Sequence, residues 1–267
     1  MESWWAGERP WLIGVVHLLP LPGAPRRGPG LDAVERRAIE DARSLAEGGA
    51  DAVIVENLGD APFDADHVAP ATVAAMTRVV WAVRRAAPAL RVGVNVLRND
   101  ALAALAVAAA TGSSFIRVNV HVGAMVTDQG LIEGRARHTL LERNRLGAPI
   151  GIVADVLVKH AVPLGEPHLE DVARDTALRG GADVLVVSGT GTGRPTDPDR
   201  VRRLRTALPR VPVWLGSGTT PDRLRDFPAL QGAIVGTWLH RDEDLDAPLD
   251  PERVRAMRAA LDAHPRD

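Results

Sequence analysis

The 267-residue sequence contains no cysteine, which excludes disulfides, thiolate-held zinc, iron–sulfur clusters and a cysteine nucleophile together. Long apolar runs are also missing. The longest, 101–110, covers ten residues, against the roughly 20 that a membrane-spanning helix needs. Charge of one sign is not in excess: 32 Lys plus Arg stand against 34 Asp plus Glu, a net of −2. No basic field is available to neutralise phosphates, so a nucleic-acid partner is not expected. The opening Met1-Glu2-Ser3-Trp4-Trp5 lacks a basic region and an apolar segment, so no secretory signal is expected and the location expected is cytoplasmic. Lysine occurs once, as Lys159. In a chain that otherwise uses arginine, this points to a place where a guanidinium would not serve.

What is present is 46% apolar, with 25 Gly and 20 Pro placed as punctuation between apolar runs. That is the pattern of a folded chain with one sizeable core. Short Val/Ile-rich runs occur at 12–16, 52–56, 92–96, 115–119, 150–155, 183–187, 212–215 and 233–235. Amphipathic Ala/Leu/Arg/Glu stretches alternate with them, at 32–47, 69–86, 100–111, 137–146, 169–179, 198–207, 221–226 and 251–263. Gly48-Gly49 and Gly180-Gly181 fall where a helix ends. Asp197-Pro198, Thr220-Pro221 and Asp250-Pro251 place a capping side chain before a first-turn proline. Eight such units at roughly 33 residues each match a (β/α)8 TIM barrel of about 250 residues. The expected fold is therefore an α/β barrel, one domain over 1–267. An open doubly wound sheet would show a dinucleotide fingerprint after its first strand, and His17-Leu18-Leu19-Pro20-Leu21-Pro22-Gly23 is not one. The stretch 121–134 reads as an irregular active-site loop or lid.

Barrel enzymes carry their chemistry where strands end. The first five strands end in groups that donate, accept or titrate: His17; Glu56, Asn57 and Asp60; Asn95, Arg98, Asn99 and Asp100; Arg117 and Asn119; Asp155, Lys159 and His160. The last three run into small residues: Ser188-Gly189-Thr190-Gly191-Thr192-Gly193, Gly216-Ser217-Gly218 and Gly236-Thr237. Exposed amides in the last two loops suit a phosphate, so Ser188, Gly189, Gly216, Ser217, Gly218, Gly236 and Thr237 are the candidate phosphate residues. The plain alternative is that these glycines only make tight turns. No Gly-Lys-Ser/Thr follows Gly191-Thr192-Gly193, which excludes a Walker loop.

In the reactive half, Asp155, Lys159, Glu56, His17 and His160 are the candidate catalytic residues. Two carboxylates in different surroundings divide into acid and base. A lysine beside them serves as proton donor, imine-forming amine or charge clamp. The alternative for Asp155 and Lys159 is a structural ion pair. Asn57, Asn95, Arg98, Asn99, Arg117 and Asn119 are the candidate substrate-orienting groups. A divalent cation between His17, Glu56, Asp155 and His160 is the alternative use of that cluster; no H-x-H or H-E-x-x-H spacing supports it, so no cofactor is expected. His121 and His138 are assigned to the 121–134 segment or the surface. Trp4, Trp5 and Trp11 read as a cover for the barrel bottom or a subunit contact, which suggests a homo-oligomer, and Trp238 as a lining of the mouth.

Several of these runs resemble the BtpA/SgcQ family. They are Ile13 to Gly23, Glu56-Asn57-Leu58-Gly59-Asp60-Ala61-Pro62-Phe63, Asn95-Val96-Leu97-Arg98-Asn99-Asp100 and Phe115-Ile116-Arg117-Val118-Asn119. Asp128-Gln129-Gly130-Leu131-Ile132-Glu133-Gly134, Ala154-Asp155-Val156-Leu157-Val158-Lys159-His160, Gly216-Ser217-Gly218 and Ile234-Val235-Gly236-Thr237 continue the match over nearly the whole chain. Two positions depart from the family pattern: His240, where lysine is usual, and Ser188, where threonine is usual. The resemblance implies a barrel similar to ribulose-phosphate-binding TIM barrels. For activity it implies less, because the family is associated with photosystem I stability, with carbohydrate use and with the label phosphoribosylanthranilate isomerase. Three functions follow as expectations. The first is an enzyme on a small phosphorylated metabolite, with isomerase, aldolase or lyase/hydrolase-type chemistry. The second is an assembly factor for a membrane complex, and the third a metabolite sensor.

Overall fold

In β1 (Trp11–His17) every second side chain faces the opposite way, so Ile13 and Val15 point inward while Leu12 and Val16 point outward. The same alternation, continued round a closed ring of parallel strands, builds two cores. In the computed structural model, residues 5, 9–189, 196–227 and 230–264 are described. In chain order they form β1, α1 (Leu31–Glu47), β2 (Ala52–Glu56), α2 (Pro70–Ala86), β3 (Arg91–Asn95), α3 (Ala101–Thr111) and β4 (Phe115–Val118). Next come β5 (Ala124–Thr127), β6 (Gly130–Glu133), α4 (Ala136–Leu146), β7 (Gly151–Asp155), β8 (Val162–Pro163) and α5 (Leu169–Arg174), which runs into a π turn, Asp175–Arg179. The chain closes with β9 (Val184–Val187), α6 (Pro198–Ala207), β10 (Val213–Leu215), α7 (Pro221–Leu224), β11 (Gly232–Val235) and α8 (Pro251–Asp262).

Strands β1, β2, β3, β4, β7, β9, β10 and β11 close into one barrel, with β11 pairing back to β1. This is the (β/α)8 TIM barrel read from the eight-fold alternation. The barrel interior holds Ile13, Val15, Ile54, Phe115, Val153, Val186, Trp214 and Ile234. Phe115 needs Gly93 beside it: a Cβ there would stand 2.2 Å from the Phe115 ring. Trp5 and Trp11 pack onto this interior cluster at the N-terminal end of β1, so these two tryptophans plug the barrel bottom. Trp4 lies outside the described residues. Among the described residues no helix is long and apolar enough to cross a membrane.

The expected caps at Asp197 and Asp250 form, each accepting an amide two residues on, whereas Thr220 makes no side-chain cap. The stretch 121–134 is ordered, contrary to expectation. β5 and β6 make a hairpin with a two-residue loop, Asp128-Gln129, and β8 joins its other edge antiparallel. Thr127 closes the turn: its Oγ1 donates to the Gly130 carbonyl at 3.0 Å and accepts from Gln129 N at 3.1 Å. Met125 and Ile132 from one face bury against Val120 and Val158. The pattern escapes a sequence reading because four-residue strands show too little alternation, and Asp-Gln is not a recognised hairpin pair. His121, expected in a mobile segment, is buried with Nε2 2.8 Å from the Gly180 carbonyl.

Candidate active site

Register sets the reactive wall. His17 lies level with Glu56, and Glu56 with Asn95, so neighbouring strand ends present their side chains at one height. Asn95 Nδ2 donates to Glu56 Oε2 at 2.5 Å, which leaves Oε1 facing His17 Nε2, 4.0 Å away. Arg117 stands between two carboxylates. Its Nη2 donates to Asp155 Oδ1 at 3.1 Å and its Nη1 is 4.0 Å from Glu56 Oε2. Asn119 Nδ2 takes the other Asp155 oxygen at 3.0 Å. Glu56, Asn95, Arg117, Asn119 and Asp155 are all buried. Burial pulls the Arg117 pKa down, but the Asp155 and Glu56 charges outweigh it and hold the guanidinium above its ordinary value. Arg117 Nε and Asn119 Oδ1 are buried without a hydrogen-bond partner among the described residues.

The loop after β7 carries Lys159. Val158 anchors it under the small sheet, and Arg98 Nη2 donates to the Lys159 carbonyl at 3.0 Å. Desolvation holds the Lys159 amine below the ordinary lysine range, opposed in part by Glu56. Burial, with help from His240, Lys159 and Arg117, pushes His17 down to about 3, so the ring is neutral. His160 is exposed, and desolvation followed by Lys159 and Arg98 lowers its pKa.

A cavity of about 420 Å³ opens at this end of the barrel. Its reactive wall contains His17, Glu56, Arg98, Arg117, Asn119, Lys159 and His160. It is lined as well by Ser217, Gly218, Thr219, Thr220, Gly236 and Thr237, with Arg223. Asp128 and Gln129 at the hairpin tip, and Trp238, also line it.

Seven of the expected site residues do not line this cavity, and their bonds explain why. Asp155 has both oxygens engaged by Arg117 and Asn119, and Asn95 is engaged with Glu56. Asn57 accepts from Leu97 N at 2.7 Å and donates to Asp60 Oδ2 at 3.1 Å. Asn99 exchanges two bonds with the Val120 backbone, at 2.8 and 2.9 Å. These asparagines hold loops in place. Ser188 and Gly216 pack on each other, since a Cβ on Gly216 would stand 2.1 Å from Ser188 Oγ, and Gly189 is buried. Gly236 does line the cavity, but its missing Cβ makes room for His17, whose Cε1 would be 2.8 Å from it. Thr190, Gly191, Thr192 and Gly193 lie outside the described residues.

Arg223, Thr219, Thr220, Asp128, Gln129 and His240 were missed as site residues. Thr219 and Thr220 directly follow the glycine loop, which was a usable signal; Asp128 and Gln129 lie within the 121–134 stretch read as an active-site loop, but no property of the two residues singled them out. Among the described residues no group of three or more His, Asp or Glu is placed to hold a metal ion. Between Glu56 and Asp155 stands the Arg117 guanidinium, where the divalent-cation alternative puts the ion.

The family model described as BtpA family matches residues 8–263. The chain belongs to the BtpA family. Within it, the chain is 47% identical over 251 residues to the photosystem I biogenesis protein BtpA of Synechocystis, covering 94% of this chain and 87% of that one. An uncharacterized protein from Thermococcus kodakarensis is 46% identical, covering 94% of both chains. Among solved structures, phosphoribosyl anthranilate isomerase from Thermus thermophilus superposes with a TM-score of 0.57 at 15% identity, covering 95% of this chain and 98% of that one. KGPDC from Streptococcus mutans gives 0.60 at 12% identity, covering 96% and 98%. At such identities the structural likeness establishes the shared barrel alone.

Proposed function

We propose that this BtpA-family chain is an enzyme acting on a small sugar or ribosyl phosphate by proton transfer. One observation carries the proposal: a set of titratable residues and a Gly/Ser/Thr set with an arginine line one cavity of about 420 Å³. Backbone amides and hydroxyls from Ser217 to Thr220, Gly236 and Thr237, with the Arg223 guanidinium, suit a phosphate. Glu56 lines the cavity with Oε1 turned from its Asn95 bond and serves as the proton-transfer base. Lys159, with its lowered pKa, supplies a proton or stabilises negative charge developing on a substrate oxygen. Asp155 acts from behind, holding Arg117 and Asn119 at the cavity. The shared barrel with phosphoribosyl anthranilate isomerase and KGPDC supports this choice of substrate class by analogy of fold.

A thermal-shift screen against sugar phosphates, inorganic phosphate and divalent metals tests it. A ligand at about 100 times its Kd stabilises by about 2.7 kcal/mol. A rise with a sugar phosphate supports the proposal; no rise with any phosphorylated compound overturns it.

A second reading has its own observation. The relative from Synechocystis is named a photosystem I biogenesis protein, and Val126, Leu131 and Val162 form an exposed apolar row across the three strands of the small sheet. A factor assisting assembly of a membrane complex would use that row and be indifferent to Glu56→Gln. Loss of partner association in Glu56→Gln, with Val126→Ser harmless, would refute it.

A further inference from the structure

We infer that His240 is a positioning residue that fixes the proton of His17 on Nδ1, so that His17 Nε2 and Glu56 Oε1 form a wall that accepts hydrogen bonds and donates none. The tautomer stands on geometry alone; the ligand class drawn from it rests on the sugar-phosphate reading.

The chain of assignment starts at a backbone carbonyl. His240 is fully buried, with Nδ1 2.7 Å from the Ala247 oxygen. A carbonyl only accepts, so Nδ1 carries the hydrogen, and a neutral imidazole then has a bare Nε2. That Nε2 is 3.1 Å from His17 Nδ1, which therefore donates. The rings lie stacked, 20° from parallel with centroids 5.3 Å apart. His17 Nε2 is left bare, on the cavity side, 4.0 Å from Glu56 Oε1. The carbonyl that starts the chain is itself held. Arg37 Nη2 donates to the Ala247 oxygen and Nη1 to the Asp246 oxygen at 3.0 Å. Arg37 Nε pairs at 2.9 Å with Asp41, which is fully buried and also accepts from Leu249 N at 2.9 Å.

A proton added to His240 would set its Nε2–H against the Nδ1–H of His17. The groups facing His17 are Glu56, His240, Lys159 and Arg117; those facing His240 are Asp41, Arg37 and Asp244. Burial is the leading cause that keeps both rings neutral. Two acceptors side by side call for a donor, so this end of the cavity takes a hydroxyl or an amine and turns away a carboxylate.

The test combines nitrogen NMR of 15N-histidine-labelled protein with binding of two phosphates, glycerol phosphate and phosphoglycolate. The wild-type spectrum should show His17 with a protonated Nδ1 and a bare Nε2, unchanged between about pH 5 and about pH 8. His240→Ala should release it, with hydrogen appearing on Nε2 opposite Glu56. His240→Gln, whose amide can donate to Ala247 and accept from His17, should restore the wild-type signature. A wild-type His17 protonated on Nε2, or titrating across that range, overturns the inference even if His240→Ala fails to fold. Glycerol phosphate should bind about tenfold or more tightly than phosphoglycolate, and the gap should narrow in His240→Ala. Equal binding of the two overturns the acceptor wall. Binding of neither overturns the sugar-phosphate reading and the ligand class drawn from it, while the spectrum still decides the tautomer.

Discussion

Arg117 and Asp155, 38 residues apart in sequence, meet inside the barrel mouth with Nη2 3.1 Å from Oδ1. The same guanidinium reaches Glu56 at 4.0 Å, so one cation serves two buried carboxylates. Replacing it with an apolar group of similar length should therefore be costly: Arg117→Met leaves buried charge uncompensated and should destabilise by about 3–5 kcal/mol. Urea unfolding at neutral pH measures this, and a loss below about 1 kcal/mol would show that the carboxylates are solvated.

Glu56→Gln keeps the shape and an oxygen for Asn95 but removes the base. Turnover on the substrate found by the screen should fall about 10²–10⁴-fold with the melting temperature little changed. Unaltered turnover would assign proton transfer elsewhere.

Lys159→Met should abolish turnover. Lys159→Arg separates proton supply from charge stabilisation, since Arg stays charged and cannot exchange a proton: turnover lost in both assigns proton supply, and turnover kept in Lys159→Arg assigns charge stabilisation. In the wild type the alkaline limb of the pH–rate profile should fall below the range of an ordinary lysine, since burial lowers this amine. Borohydride in the presence of substrate separates the two uses of the amine: no covalent adduct is expected for proton transfer, whereas an adduct at Lys159 would establish an imine.

Arg223→Gln should weaken inorganic phosphate binding by about 1.5–3 kcal/mol, the worth of a charge-assisted hydrogen bond. Isothermal titration reads this directly. Equal affinity in variant and wild type would remove Arg223 from the phosphate wall.

Stability should fall as the medium is acidified. His17 holds a folded pKa of about 3 against an ordinary 6.5. Between those values the unfolded chain binds a proton that the folded chain refuses, so stability is lost as pH drops from 6.5 toward 3. Burial lowers His240 and His121 in the same direction. His17→Gln should flatten the slope by about one proton in this window. A slope equal to that of the wild type would mean His17 protonates normally in the folded chain.

The eight strands, their helices and the candidate residues at strand ends were legible because alternation and capping act over neighbouring positions. The hairpin at Asp128-Gln129 was not, since its strands gain order from burying Met125 and Ile132 against Val158, a partner supplied by a different loop.

Local sequence by itself determined that this chain is a barrel and that its first five strands end in Glu56, Arg117, Asp155 and their polar neighbours. Only the tertiary structure decided which of them face the cavity. Glu56 and Asp155 look alike as strand-end carboxylates, yet ring closure encloses Asp155 between Arg117 and Asn119 and turns Glu56 to the cavity. His17 and His240 are 223 residues apart, and no local period relates them. Their contact exists because β11 pairs with β1, and the proton between them follows from one carbonyl that the folded chain brings to His240.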